Sequence, residues 1–213
     1  MRADYTDRLE RWLFDACLPF WSAEGWDRAH GGFVEEMTLD GVDAALPYKR
    51  MRVAPRQIYV FSHAAMLGAR DGAPLIAKGA EWLVDRCWIR EKGAFAHRLT
   101  RDGAVADDTI DLYDHAFAVY GFAWAFAATE DSSYREWAAR SLDAIERHLS
   151  APGRGFLSNP RDADTRDQNP HMHLLEAALA ALDATGDARY ADLARRLVEL
   201  ACDAIIRSDS GIV

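Results

Sequence analysis

The chain punctuates itself at a nearly fixed interval. Gly31-Gly32-Phe33, Gly93-Ala94-Phe95 and Arg154-Gly155-Phe156 each place a glycine beside or near an aromatic, with Phe33 and Phe95 62 residues apart and Phe95 and Phe156 61 apart. A fainter echo, Ser210-Gly211-Ile212, follows 56 residues later. Self-similarity at a fixed period means that each unit is one supersecondary element that cannot bury its apolar face alone and must stack on its neighbours. A period near 61 is too long for the roughly 34-residue tetratricopeptide unit; it fits two helices plus loops.

Two kinds of helix alternate within that period. Segments 5–20, 74–90, 133–149 and 188–206 are amphipathic, as in Tyr134-Arg135-Glu136-Trp137-Ala138-Ala139-Arg140, and such helices lie outside with one face on a core. Segments 53–68, 112–128 and 170–183 differ. Residues 116–128 (AFAVYGFAWAFAA) hold no charge, and residues 174–182 hold only Glu176. A helix that is apolar all round is buried all round. Inner and outer helices therefore alternate, which is the plan of an all-α, α/α toroid.

Turn chemistry agrees. Asp71-Gly72-Ala73-Pro74 and Thr185-Gly186-Asp187 read as tight links from an inner helix to the next outer one, with glycine expected as C-cap. The connections from outer to inner helix are long, carry the Gly-aromatic punctuation, and include the hairpin signals Leu39-Asp40-Gly41-Val42 and Thr100-Arg101-Asp102-Gly103-Ala104, so short β-hairpins are expected on one face. A closed ring of six helix pairs needs roughly 370 residues at this period. The 213 residues supply about three and a half pairs, so residues 1–213 are expected to be the N-terminal part of a single such domain. An open solenoid is the alternative, but the last outer helix lacks the polar cap that a solenoid terminus requires.

Composition narrows the function classes. Half of the residues are hydrophobic and 28% charged, which is ordinary for a globular domain. The net charge of -9, with no basic stripe, argues against nucleic acid as partner. No segment reaches the roughly 18 apolar residues of a membrane span, and the N-terminus shows no signal-peptide run, so the cytoplasm is the expected location. Cys17, Cys87 and Cys202 are odd in number and far apart in helical, apolar stretches, which predicts buried thiols rather than disulfides or a zinc knuckle.

Polar residues gather where the inner helices open: Arg52-Val53-Ala54-Pro55-Arg56-Gln57, Asp111-Leu112-Tyr113-Asp114-His115 and Gln168-Asn169-Pro170-His171-Met172-His173. Mouths on one side of a ring converge on one pocket, and helix N-termini add free N–H donors and positive potential. Helical spacing aligns Arg52, Arg56, Tyr59 and His63; Tyr113, Phe117, Tyr120 and Trp124; and Asn169, Met172, His173 and Glu176. His171 then points away from His173, so the pair is a poor metal clamp. Arginine, tyrosine, asparagine and histidine above aromatic flooring suit a polyhydroxylated ligand, with rings for its C–H faces and fixed donors for its hydroxyls. Structural readings stand beside this one: His63 as a hydrogen-bonded core residue, His30, His97 and His148 as loop or surface residues, Arg52 as a partner for a carboxylate, and Asp114 as a cap or first-turn charge.

At these residues the sequence resembles the N-acylglucosamine 2-epimerase superfamily, and most the D-mannose isomerase branch. The segments that carry the likeness are Pro55-Arg56-Gln57-Ile58-Tyr59-Val60-Phe61-Ser62, Asp111-Leu112-Tyr113-Asp114-His115-Ala116-Phe117 and Gln168-Asn169-Pro170-His171-Met172-His173-Leu174-Leu175-Glu176-Ala177. The resemblance implies an (α/α)6 barrel and conversion of a free sugar at C1 and C2 without metal or other cofactor, mannose to fructose in type. It makes Arg56, Tyr113, Asn169, Met172 and His173 substrate contacts. It also places the two histidines of general acid and base in the C-terminal half of the barrel, leaving His173 as the titratable candidate here, in binding and polarisation rather than proton transfer, and the chain alone inactive. Isomerisation needs a base at the C2 proton, an acid near O1 and O5, and donors for a cis-enediolate. A 2-epimerase acting on N-acylglucosamine or a disaccharide is the alternative within that class. A glycoside hydrolase or lyase on the same toroid would need paired carboxylates, and Asp111, Asp114 and Glu176 show no obvious partner. A non-catalytic carbohydrate-binding or interaction fragment is the third class.

Overall fold

The computed structural model describes residues 2–161 and 166–206, so the Ser210-Gly211-Ile212 echo lies outside the described residues. Its helices are α1 (Arg2–Arg11), α2 (Leu18–Glu24), α3 (Val53–Met66), α4 (Pro74–Trp82), α5 (Leu112–Thr129), α6 (Ser132–His148), α7 (Gln168–Thr185) and α8 (Ala188–Leu200). A π-helical turn, Trp12–Cys17, joins α1 to α2, and further π-helical turns, Leu83–Cys87 and Ala201–Ile205, extend α4 and α8. The inner helices α3, α5 and α7 lie side by side with α5 in the middle, while α4, α6 and α8 each pack outside the inner helix that precedes them.

Apolar character explains this order. Nearly every residue of α5 from Leu112 to Ala125 is buried, so the helix needs partners on all sides. One cluster joins Val119, Ala123, Leu142, Ile145, Leu174, Ala177 and Leu197 across α5, α6, α7 and α8, and a second joins Ile58, Phe61, Ile76, Leu83 and Phe122 across α3, α4 and α5. Gly121 allows α5 to approach α3 closely, since a Cβ there would sit 2.6 Å from the Pro55 carbonyl oxygen. By contrast α7 is covered less fully, with Met172 50% and Leu179 52% exposed.

The long loops knit into small sheets on the side where the inner helices begin. Strand β1 (Tyr48–Arg50) pairs antiparallel with β4 (Arg98–Thr100) in the register Lys49 to Leu99, and β4 pairs with β5 (Val105–Asp107) around the Asp102-Gly103 turn; β2 (Trp88–Ile89) pairs with β3 (Ala94–Phe95). The Asp40-Gly41 turn closes a single bridge, Met37 to Asp43. Buried Lys49 reinforces this layer, donating to the Gly31 carbonyl and to Asp27 Oδ2 at 3.0 Å, with Arg101 3.2 Å from the same carboxylate. Burial by itself would raise the Asp27 carboxyl, yet hydrogen bonds from Lys49 and the His30 backbone, with the charges of Lys49 and Arg101, hold it at about 2.

Two histidines explain the Gly-aromatic punctuation. His115 Nε2 accepts the Phe95 N–H at 3.0 Å while its Nδ1 donates to the Asp111 carbonyl at 2.9 Å. His171 repeats the motif on Phe156 N–H at 2.9 Å and the Asp167 carbonyl at 2.7 Å. Each ring thus staples the loop of its own repeat to the first turn of its inner helix, and each must be neutral to accept. Burial lowers the His115 pKa to about 4 and shifts His171 in the same direction.

Three expectations change. Gly72 is not a C-cap; Gly68, at φ +101°, follows α3, and Gly72 is instead required by packing, because a Cβ would meet Phe61 at 2.4 Å. Of the three cysteines Cys87 is buried, which pushes its thiol up, Cys17 is half-buried, and Cys202 is exposed. Two residues beyond buried Leu200 is roughly 200° around a helix, and an outer helix buries one face only. His97 lies in the loop between β3 and β4, as expected, but His148 ends α6, half-buried, with its Nε2 2.8 Å from the Lys92 carbonyl oxygen.

Two outcomes follow from these staples and caps. The unfolded chain binds protons on His115 and His171 near pH 6.5 whereas the folded chain resists, so their contribution is complete above that pH and is lost as pH falls toward 4. Urea melts at pH 7.5, 5.5 and 4.5 should show falling stability in that window, and in His115→Asn the slope over it should be smaller. Glu130 ends α5 in the left-handed region at φ 59°, where Gly186 ends α7. Glu130→Gly should remove a penalty of about 1 kcal/mol, which calorimetry reads as a Tm higher by roughly 2–4 °C.

Candidate functional site

The inner-helix stripes meet as a ladder. Arg52, at the start of α3, lies with its guanidinium carbon 4.5 Å above the Tyr113 ring, and one turn further Arg56 lies 4.9 Å above Phe117. Below them Tyr59 packs on Tyr120 at 4.7 Å and on Trp124 at 5.2 Å, and His63 on Trp124 at 4.5 Å. Successive rungs run in the same direction along both helices, so α3 and α5 are parallel. From α7, His173 sets its ring 5.0 Å from Tyr113, edge to face, and 4.8 Å from Phe117. Its Nδ1 is 3.0 Å from Glu176 Oε2. Two cations, two rings and one imidazole thus converge at the N-terminal ends of three helices.

Five residues were expected to touch substrate. Arg56, Tyr113 and His173 stand around one spot. Asn169 and Met172 are exposed on the first turns of α7 beside His173, open to solvent on that flank. Arg56 is exposed, and among the described residues it has no carboxylate partner; its contact is the face of Phe117. His63 belongs to the aromatic floor and is half-buried, 3.3 Å through Nδ1 from the Tyr59 hydroxyl. His171 points away from His173 into its staple.

At the ends of α3 and α5 lies a half-buried charge cluster around a buried carboxylate. Asp111 caps α5, accepting the Asp114 N–H at 3.0 Å. The Asp114 carboxylate is fully buried and takes Arg52 Nε on Oδ1 at 2.6 Å and His97 Nδ1 on Oδ2 at 2.7 Å. Arg52 Nη2 also approaches Asp111 Oδ1 at 3.3 Å. The hydrogen bond to Asp114 raises the His97 pKa against the opposing effect of burial, while burial and then the charge of Asp114 raise the Asp111 carboxyl. His97, Asp111 and Asp114 offer ligand atoms within 4.8 Å of one another, but Arg52 already supplies the counter-charge and a metal ion would have to displace it.

Arg52 pairing with a carboxylate and Asp114 as a first-turn charge were legible alternatives, and both describe the cluster. Asp111 and Asp114 are engaged by Arg52 and His97, which makes them members of an ion-pair cluster. The sequence marks His97 only as a loop or surface residue, because its reach to Asp114 depends on backbone pairing with Met51 and Asp107, and no sequence spacing encodes a contact between residues 17 apart in a loop and a helix.

Comparison with known proteins sets this geometry in context. The family model described as N-acylglucosamine 2-epimerase (GlcNAc 2-epimerase) matches residues 31–213. The chain is similar to a mannose-6-phosphate isomerase of Rhizobium meliloti, 35% identical over 209 residues that cover 95% of this chain and 53% of the relative. It is also similar to the D-mannose isomerase of Thermobifida fusca, 30% identical over 167 residues, 75% of this chain and 41% of that one. Among solved structures, the cellobiose 2-epimerase of Spirochaeta thermophila aligns with a TM-score of 0.87 at 23% identity, covering 96% of this chain and 55% of that one, a likeness of fold. The helix pairs are therefore those of an (α/α)6 barrel, and the chain spans about half the length of the curated relatives it matches.

Proposed function

The chain belongs to the N-acylglucosamine 2-epimerase family, a family of carbohydrate isomerases and epimerases, and on that footing we propose that residues 1–213 form the sugar-gripping part of a site that isomerises a free aldose to its ketose, mannose to fructose in type, without metal. The observation that carries this reading is the convergence of Arg56, Tyr113, Phe117 and His173 from three helices onto one spot. A sugar presents C–H faces and hydroxyls in alternation, and the rings of Tyr113 and Phe117 beside the donors of Arg56 and His173 match both.

Each group has a role in such a reaction. The guanidinium of Arg56, without a carboxylate partner among the described residues, stabilises the developing oxygen charge of a cis-enediolate, because a donor fixed before the reaction needs no reorganisation during it. His173, with Nδ1 turned to Glu176, offers its other nitrogen to a substrate hydroxyl, and Asn169, at the open end of α7, adds a further donor. Met172 supplies apolar surface. The proton transfers between C1 and C2 belong to histidines in the other half of the barrel, as the family resemblance implies.

A free sugar is favoured over a phosphate ester because Arg52 is already paired with Asp111 and Asp114 and Glu176 lies beside His173, so of the ladder's two cations only Arg56 lacks a carboxylate partner among the described residues. A phosphate at C6 would add like charge beside Glu176.

Calorimetric titration of the chain with mannose, fructose, N-acetylglucosamine and mannose 6-phosphate checks the reading. Mannose or fructose should bind, Arg56→Ala should weaken binding about tenfold, the cost of one charge-assisted hydrogen bond, and the phosphate ester should bind less well, most clearly at low salt. Binding of N-acetylglucosamine alone would move the assignment to a 2-epimerase, and no binding by any sugar would reject it. Incubated with mannose, the 213-residue chain should release no fructose; measurable fructose would mean that His173 or another residue of this chain transfers the protons.

A further inference from the structure

The half-buried cluster beside the site takes no part in gripping the sugar, yet it holds the only wholly buried carboxylate among the described residues of the three helix ends. Arg52 is also unlike Arg56. Asp111 and Asp114 on α5 face it from one side, with His97 from the segment between β3 and β4, so its charge is spent before any ligand arrives. It is therefore not a second anion hook.

The geometry points to Arg52 as a positioning residue of the sugar site: clamped by Asp114 and His97, its guanidinium plane holds the Tyr113 ring in place, and Tyr113 in turn holds His173. This rests on the sugar-site reading for what is positioned, though not for the contacts themselves. Each oxygen of the Asp114 carboxylate is engaged from a different element, Oδ1 by Arg52 at 2.6 Å and Oδ2 by His97 at 2.7 Å. A carboxylate tethered at both ends cannot turn, and neither can the Nε–H that donates to it. The guanidinium then has one place to lie, 4.5 Å over Tyr113, and cation and ring attract most when the plane is desolvated on its far side. Tyr113 passes the constraint on by meeting His173 edge to face at 5.0 Å and an interplanar angle of 81°. A site that must hold its groups within a fraction of an ångström draws on supporting contacts of this kind.

Arg52→Lys separates positioning from mere support. Lysine keeps the charge facing Asp114 but has no plane to lay on a ring. Three readouts on the full chain decide the matter: thermal unfolding, the ring C–H resonances of His173 by NMR without sugar, and the mannose dissociation constant. Expected are a Tm within about 3 °C of wild type, the loss of roughly 1 kcal/mol, a displaced His173 signal as Tyr113 moves, and mannose binding weakened about tenfold by a misplaced contact. Unmoved His173 resonances in Arg52→Lys overturn the proposal, whether or not mannose binds. A displaced His173 signal in a protein whose wild type binds no sugar leaves the positioning intact and rejects the sugar-site reading. Should Arg52→Lys fail to fold, His97→Ala removes one tether of the Asp114 carboxylate, and the same His173 displacement, or its absence, decides.

Discussion

Helix α5 buries every residue from Leu112 to Ala125 except the site-facing Tyr113, Tyr120 and Trp124, and the rest of the molecule is arranged to satisfy it. Burying a large apolar side chain is worth about 1.5–3 kcal/mol, and Leu112, Phe117, Val119 and Phe122 are all buried on this one helix. They need α3 on one side, α7 on the other, α6 behind and the loop layer at the end. The chain meets that demand with one device: a tight turn reverses it into an outer helix, the outer helix runs back, and a long loop starts the next inner helix. Successive inner helices therefore run in the same direction, and their N-terminal ends gather on one side of the molecule.

A helix that begins inside a protein has polar groups to satisfy there, and the ends of α5 and α7 meet the need in the same way. A histidine at the fourth helical position reaches back to the carbonyl of the capping aspartate and forward to a loop N–H, spanning the gap as a neutral ring. Gly155, at φ +75°, lets its loop pass close, since a Cβ there would lie 2.8 Å from His171 Nε2, whereas the matching position before Phe95 holds Ala94. The repeated sequence signal is thus the trace of a repeated hydrogen bond. In the first repeat the fourth helical position is Arg56, and the Gly31-Gly32-Phe33 loop is held instead by buried Lys49 of β1, which reaches the Gly31 carbonyl and the Asp27 carboxylate. A desolvated ammonium is tolerable there because an ion pair and further acceptors surround it.

The site shows where a one-dimensional reading suffices and where it fails. Arg52, Arg56, Tyr59 and His63 lie at helical spacing, as do Tyr113, Phe117, Tyr120 and Trp124, and in the structure these two stripes meet rung by rung. Helical periodicity is local, so it survives in sequence. His97 carried no such mark. Its role depends on which strand pairs with β1, and strand pairing is a long-range choice that neighbouring residues do not encode. Asp114 was ambiguous for a related reason: a first-turn carboxylate can serve the helix dipole, a capping bond or a distant arginine, and distance alone separates these.

What the sequence determined by itself was periodicity and its consequences: the helix pairs, the alternation of inner and outer, the three polar openings, and the residues that share a face. These follow from the fixed pitch of a helix and from the absence of charge along 116–128. Tertiary structure decided the rest. It chose Gly68 over Gly72 as the cap of α3, exposed Cys202, drew His97 inward, and spent the charge of Arg52 on Asp114 while giving Arg56 no carboxylate partner among the described residues. Each of these depends on the separation of groups distant along the chain, and only packing sets those separations.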